Sequence, residues 1–225
     1  MLAFLSAYAA ATPAWAGRPL QTEDAGVLET KRCEVEGAAV RQSGSGVVAR
    51  ENSLQLGCGV GASTQLALAV LRSSADDQGE SGLHLSGKTG LWVGAGEAAP
   101  ALTLAYALSA NRASSASWRH AASAVNLVYS RPAAADLTLH VNLGHARDEV
   151  ARQPSTTWGL ALEHAGFGAL APMVEVFGDD REAPYWNVGL RYTLQPEKGY
   201  LDVSYGRQIS ATRSSLASLG FKIVF

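Results

Sequence analysis

The sequence predicts an all-β protein, a transmembrane antiparallel up-and-down β-barrel of about 12 strands with short periplasmic turns. Three observations predict it. The chain ends on SSLASLGFKIVF (214–225). There Phe225, Ile223, Phe221, Leu219 and Ala217 share one face of a strand, and Val224, Lys222, Gly220, Ser218 and Leu216 share the other. Segments with this period of two recur back to residue 32, each near the length of about ten residues that a tilted strand needs to cross a membrane. Aromatic residues gather at the segment ends. Trp92, Tyr129, Phe167, Tyr192, Tyr200 and Phe225 fall at one end, and Trp118, Trp158, Phe177, Tyr185, Trp186 and Tyr205 at the other. Two such girdles are expected at the two interfaces of a bilayer.

Composition agrees with a membrane wall. Only 17% of the 225 residues are charged, against about 25% in an ordinary globular chain, and 47% are hydrophobic. The formal net charge is −2, so there is no basic excess to attract nucleic acid. No apolar run approaches the ~20 residues of a membrane helix. A membrane chain without such helices has to close a barrel, because lipid offers the backbone no hydrogen-bond partners.

The elements follow in order. Residues 1–16 read as a signal peptide: an apolar run from Leu2, then Ala14-Trp15-Ala16 before Gly17, although no Lys or Arg follows Met1. Residues 17–31 show no alternation and read as an N-terminal periplasmic or plug segment. The barrel occupies 32–225. Its first strand covers 33–40. The second carries Leu54, Leu56, Cys58 and Val60 on one face, the third Leu66, Leu68 and Val70, and the fourth covers 83–92. The fifth carries Leu102, Leu104, Tyr106 and Leu108, and the sixth Val125, Leu127 and Tyr129. The seventh sets Leu137, Leu139, Val141 and Leu143 against Thr138, His140 and Asn142. Trp158, Leu160 and Leu162 mark the eighth, and Val174 and Val176 the ninth, against Glu175. The tenth sets Trp186, Val188, Leu190, Tyr192 and Leu194 against Asn187, Gly189 and Arg191. The eleventh sets Leu201, Val203 and Tyr205 against Asp202, Ser204 and Gly206, and the terminal strand completes the set. Short turns (61–63, 131–135, 165–168, 195–199) are expected to alternate with longer polar loops (73–81, 110–117, 146–155, 178–184), as in single-chain outer-membrane barrels.

The inward face is rich in small residues, among them Gly57, Gly59, Ala67, Ala105, Gly159 and Gly189. Eight strands give a filled interior and sixteen an aqueous channel, so about twelve imply a narrow pore or a wider one plugged by 17–31. Lumen charges are the candidate solute path: Lys88, Glu175, Arg191, Asp202 and Lys222, together with His140. Hairpin register predicts an Arg191–Asp202–Lys222 cluster at the periplasmic end. Lys88 lies among small neighbours near Ala67, Thr103 and Ala105, and pairs across the lumen with Glu175. Each charge has a structural alternative, a tie within the wall, beside its reading as a selective constriction. Cys33 and Cys58 share one face of the first hairpin and are opposed if it is centred at 45–46; export permits a disulfide, and two free thiols are the alternative.

No catalytic residue, metal or cofactor is expected. Asp179-Asp180 is a carboxylate pair in a polar loop. The five histidines lack the spacing of a helical zinc motif, and no serine sits in a Gly-x-Ser-x-Gly elbow.

The opening RPLQTEDAGV (18–27) running into RCEVE (32–36), and the closing EVFGD (175–179), GLRY (189–192) and LDVSYG (201–206), resemble the phenol-degradation MetA-pathway outer-membrane transporter family. The resemblance covers the whole mature chain loosely, and the chain is short for the family. It implies a barrel that passes small, aromatic or hydrophobic, molecules, and it brings no catalytic residues. The expectation is therefore a passive channel in the bacterial outer membrane. Its partners would be outer-membrane lipid, a small-molecule solute, and the barrel-assembly machinery through the strand ending at Phe225. The alternatives are a closed structural or surface-interaction barrel and, below that, a barrel enzyme.

Overall fold

Side chains that alternate in polarity give every strand two faces, and a closed sheet is the shape that puts all faces of one kind inside. The computed structural model describes residues 19–44, 46–76, 78–95, 99–113, 116–210 and 214–225. The signal-peptide reading of 1–16 lies outside them. Twelve strands follow one another: β1 (Cys33–Gly44), β2 (Val47–Gly61), β3 (Thr64–Ala75), β4 (Gln78–Val93), β5 (Ala101–Ala113), β6 (Arg119–Ala134), β7 (Leu137–Asp148), β8 (Gln153–His164), β9 (Leu170–Asp179), β10 (Tyr185–Gln195), β11 (Gly199–Gln208) and β12 (Ser215–Val224). Each pairs antiparallel with the next, and β1 pairs with β12, so the barrel closes. Closure leaves no sheet edge, which lipid requires.

The two faces separate as the alternation demands. Leu54, Leu56, Leu66, Leu68, Leu85, Leu143, Val174, Val203 and Leu219 stand outside with large exposed areas. A belt of that extent in water would be an aggregation surface; in a bilayer it is the lipid contact. Glu34, Glu36, Gln55, Lys88, Asn142, Glu175, Asn187 and Asp202 are buried on the other face. Among the described residues, apolar clusters inside are small: Leu20, Ala161 and Met173 form one, and Ala25, Ala105 and Val128 another.

One expectation is corrected. Long and short connections do not alternate. Most of 73–81 and the first half of 110–117, read as polar loops, lie in strand: β3 runs to Ala75, β4 begins at Gln78, and β5 runs to Ala113. The ladder continues there, with Ser73 opposite Glu80 and Ser74 opposite Gly79. In a barrel, loss of alternating hydropathy marks the depth at which the wall leaves lipid, and hydrogen bonding carries the hairpin on past that depth.

Candidate functional site

The lumen is crossed by the chain's own N-terminal segment. Residues 19–32, hereafter the strap, have few apolar side chains and form no regular element of their own. Their backbone polar groups therefore need outside partners, and the inner wall supplies them. Glu175 on β9 accepts hydrogen bonds from the Gln21 amide at 2.8 and 3.0 Å and from the Thr22 amide at 2.7 Å. Asn187 on β10 donates to Glu175 at 2.7 Å and holds its carboxylate in place. Asn142 on β7 clasps Glu23 on both sides: it accepts from the Glu23 amide at 2.8 Å and donates to the Glu23 carbonyl at 2.9 Å. Asn126 on β6 donates to the same Asn142 oxygen at 2.9 Å. Farther along, Ser130 accepts from the Ala25 amide at 2.8 Å and Thr103 donates to the Ala25 carbonyl at 2.7 Å. Gln65 on β3 accepts from the Leu28 amide at 2.7 Å. The strap leaves the lumen by pairing with β2, where Thr30 bridges Gly59 and the Lys31 amide donates to the Gly59 carbonyl at 3.0 Å.

The small inward residues receive this strap. A Cβ on Gly159 would lie 2.6 Å from Thr22 Oγ1, and one on Gly189 would lie 2.7 Å from Pro19 Cγ. At Gly59 a side chain would collide with the Glu29 carbonyl. The small wall residues thus set how closely the strap approaches.

Lys88 is placed as its register implies, opposite Ala105. Its partners differ from those expected. Lys88 Nζ lies 2.7 Å from Glu23 and 3.7 Å from Asp24, and donates to the Asp24 carbonyl at 2.9 Å. The expected Lys88–Glu175 pair is absent, because both side chains are occupied by the strap between them. The expected three-residue cluster also divides. Arg191 meets Asp202 at 2.9 Å, directly across β10 and β11. Lys222 instead faces Tyr200 and Glu36 in register, and pairs with Glu36 and, at 3.0 Å, with Glu34. That pairing crosses the β1–β12 seam, which hairpin reasoning does not reach. His140 bonds Ser130 Oγ through Nδ1 at 2.8 Å, and its Nε2 lies 3.5 Å from Glu163. Ser130, His140 and Glu163 are the residue types of a nucleophilic triad, but Ser130 Oγ here receives the Ala25 amide and holds the strap. Cys33 and Cys58 are opposed in register with Cα atoms 4.1 Å apart and their sulfurs bonded, beside the point where the strap joins β2.

Two electrostatic features stand out on the strap. Burial pushes the Glu23 carboxyl up to about 7, against the pull of Lys88. Asp24 is held well below the usual carboxylate range: burial pushes its carboxyl up, and the pull of Lys88 and Lys222 outweighs that push. Between the strap and the wall of β1–β5 and β12 a cavity of about 250 Å³ remains, lined by Glu23, Asp24, Glu34, Glu36, Lys88 and Lys222 among others.

Sequence reasoning missed the strap's acceptors and donors: Gln65, Thr103, Ser130, Asn142 and Asn187 as a set, and Glu23 as the partner of Lys88. A signal was present. Thr103 faces Gly90 and Val128, and Asn142 faces Val128 and Gly159; an inward polar group with no polar neighbour across either ladder has to find its partner inside the lumen.

Solved structures with this fold are outer-membrane barrels. The COG4313 outer membrane channel from Pseudomonas putida F1 is 11% identical, with 90% of this chain and 98% of that chain covered and a TM-score of 0.64. The KdgM porin in complex with disordered oligogalacturonate is 12% identical, over 85% and 99% of the two chains, with a TM-score of 0.62. The NanC porin is 10% identical, over 84% and 98%, with a TM-score of 0.56. At such identities the likeness speaks for the fold, a twelve-stranded barrel of the bacterial outer membrane. No curated protein matches the sequence significantly. The sequence matches over residues 3–225, and so the chain belongs to, the family described as Uncharacterised conserved protein UCP029691.

Proposed function

We propose that this protein is an outer-membrane channel for small solutes and that the strap narrows its lumen. The observation that carries the reading is the way the lumen is filled. A closed structural barrel would have its lumen filled by the side chains of its own wall. Here the interior is a peptide segment held by polar groups, with a polar cavity of about 250 Å³ beside it. A strap held by separate hydrogen bonds can be loosened without disturbing the hydrogen-bonded ladder. The porins and channels among the structural neighbours support the same reading.

The test is single-channel current in planar bilayers, for the intact protein and for a variant lacking 17–31. The expected result is a small conductance from the intact protein and one several-fold larger after deletion, since pore radius sets conductance. Current only after deletion would make the strap a full plug. Silence from both proteins, with the barrel still folded, would overturn the channel reading in favour of a closed structural barrel. Uptake into liposomes then sorts the solutes, with a neutral sugar, an amino acid and phenol as the arms; the resemblance to the MetA-pathway transporters puts phenol among them.

A further inference from the structure

The cavity beside the strap has an unbalanced lining. Four carboxylates face it, Glu23, Asp24, Glu34 and Glu36, against the two ammonium groups of Lys88 and Lys222. Each lysine is bracketed by two of these carboxylates. Two negative charges are therefore left over, or one when Glu23 carries a proton. A second, independent observation lies in the same wall. Gln55, directly opposite Glu36 and only 6% exposed, lines this cavity, and its amide oxygen has no hydrogen-bond donor. A buried acceptor beside surplus carboxylate is complementary to a group that brings both positive charge and N–H donors. Lys88 and Lys222 show that an ammonium fits among these carboxylates.

We infer that the cavity formed by the strap, Glu34, Glu36 and Gln55 is a binding site for a small cationic solute bearing an ammonium group. This rests on the channel reading and names the solute class of the same lumen. The volume suits a molecule smaller than the drug-sized ligands that fill pockets of about 300–1,000 Å³. The two lysines set the precedent, because their N–H groups already satisfy these carboxylates, and so the geometry favours an organic ammonium ion. Competition with the two lysines keeps binding weak enough for release, which conduction requires.

The experiment is the reversal potential of the intact protein in a potassium chloride gradient, then with methylammonium chloride replacing the potassium salt. Expected are a preference for potassium over chloride of at least about three-fold and methylammonium permeating at least as well as potassium. Glu36→Gln should lower the cation preference about two-fold, and Lys222→Gln should raise it. Misfolding cannot produce opposite shifts. Gln55→Leu should reduce methylammonium permeation while leaving the potassium-to-chloride ratio unchanged. A conducting protein with no cation preference, or with both charge variants shifting the same way, overturns this inference and leaves the channel reading intact. Where the intact protein is silent, equilibrium dialysis with radiolabelled methylammonium decides. Binding that Glu36→Gln weakens supports the site, and no binding overturns it. Silence from both the intact and the strap-deleted protein overturns the channel reading separately.

Discussion

Two parts of the lumen wall use the same kinds of side chain in different ways. From β3 to β10 the inward polar residues turn to the strap: Gln65, Lys88, Thr103, Ser130, Asn142 and Glu175 each hold part of it. From β10 through β12 to β1 they turn to one another. Arg191 binds Asp202, Ser204 shares a hydrogen bond with Ser218 at 2.6 Å, and Lys222 binds Glu34. The first wall is a receptor for a peptide. The second finds its hydrogen-bond and ion-pair partners within the wall, and through Glu34, Glu36 and Lys222 it forms the far side of the cavity. Charge inside a barrel therefore has two roles, and only the partner of each group distinguishes them.

The largest break in this contrast should come from Lys88→Met. It removes the charged partner of Glu23 and the donor to the Asp24 carbonyl. Strap docking should weaken by about 3 kcal/mol, the lower end for a broken buried pair, because Glu23 can escape by taking a proton. Limited proteolysis should then cut within 19–32 while the heat-dependent gel mobility of the barrel stays unchanged. A strap as protected as in the parent would show that Lys88 does not hold it. Titration sharpens the same test. The docked Glu23 carboxyl, at about 7, lies above its free value of 4.5, so docking takes up a proton between them. Its charged neighbours are Lys88, Asp24 and Glu36. This contribution is present in full below about pH 4.5 and is lost as pH rises through 7. Strap protection in the parent should therefore be greater at pH 5.5 than at pH 8, and Glu23→Gln should flatten the difference.

Next in size is Glu175→Gln, which turns charge-assisted hydrogen bonds to two strap amides into neutral ones. The expected loss is about 1–2 kcal/mol of docking, read as faster amide hydrogen exchange at Gln21 and Thr22. Unchanged exchange at both would remove Glu175 from the receptor wall. Gly159→Ala should cost about 1 kcal/mol by pressing on Thr22, and Thr22→Ala in the same chain should restore most of it. A non-additive rescue measured by proteolysis would establish the contact.

The smallest effect is expected on the other wall. Arg191→Met combined with Asp202→Leu replaces a buried pair by apolar groups of similar size, a change often close to neutral. Strap protection should stay within about 0.5 kcal/mol of the parent, by the same proteolysis. A released strap would erase the distinction between the two walls.

The amino-acid sequence by itself determined the barrel. A period of two repeated twelve times, with aromatics at both ends, leaves a closed sheet as the structure that hides every backbone group from lipid. It also determined contacts between neighbours in a hairpin, because the turn sets the register; Arg191 opposite Asp202 follows from counting outward from Pro196. The tertiary structure decided everything that crosses the lumen or the seam. Lys222 meets Glu34 and Glu36 only because β12 closes on β1, about 190 residues away along the chain. Glu175 and Lys88 are separated from each other, and joined to Gln21, Thr22 and Glu23, by a strap without periodicity. Such a segment has no face to count and no turn to set its register. Its position is the sum of individual hydrogen bonds to a wall that has to be closed before they can form.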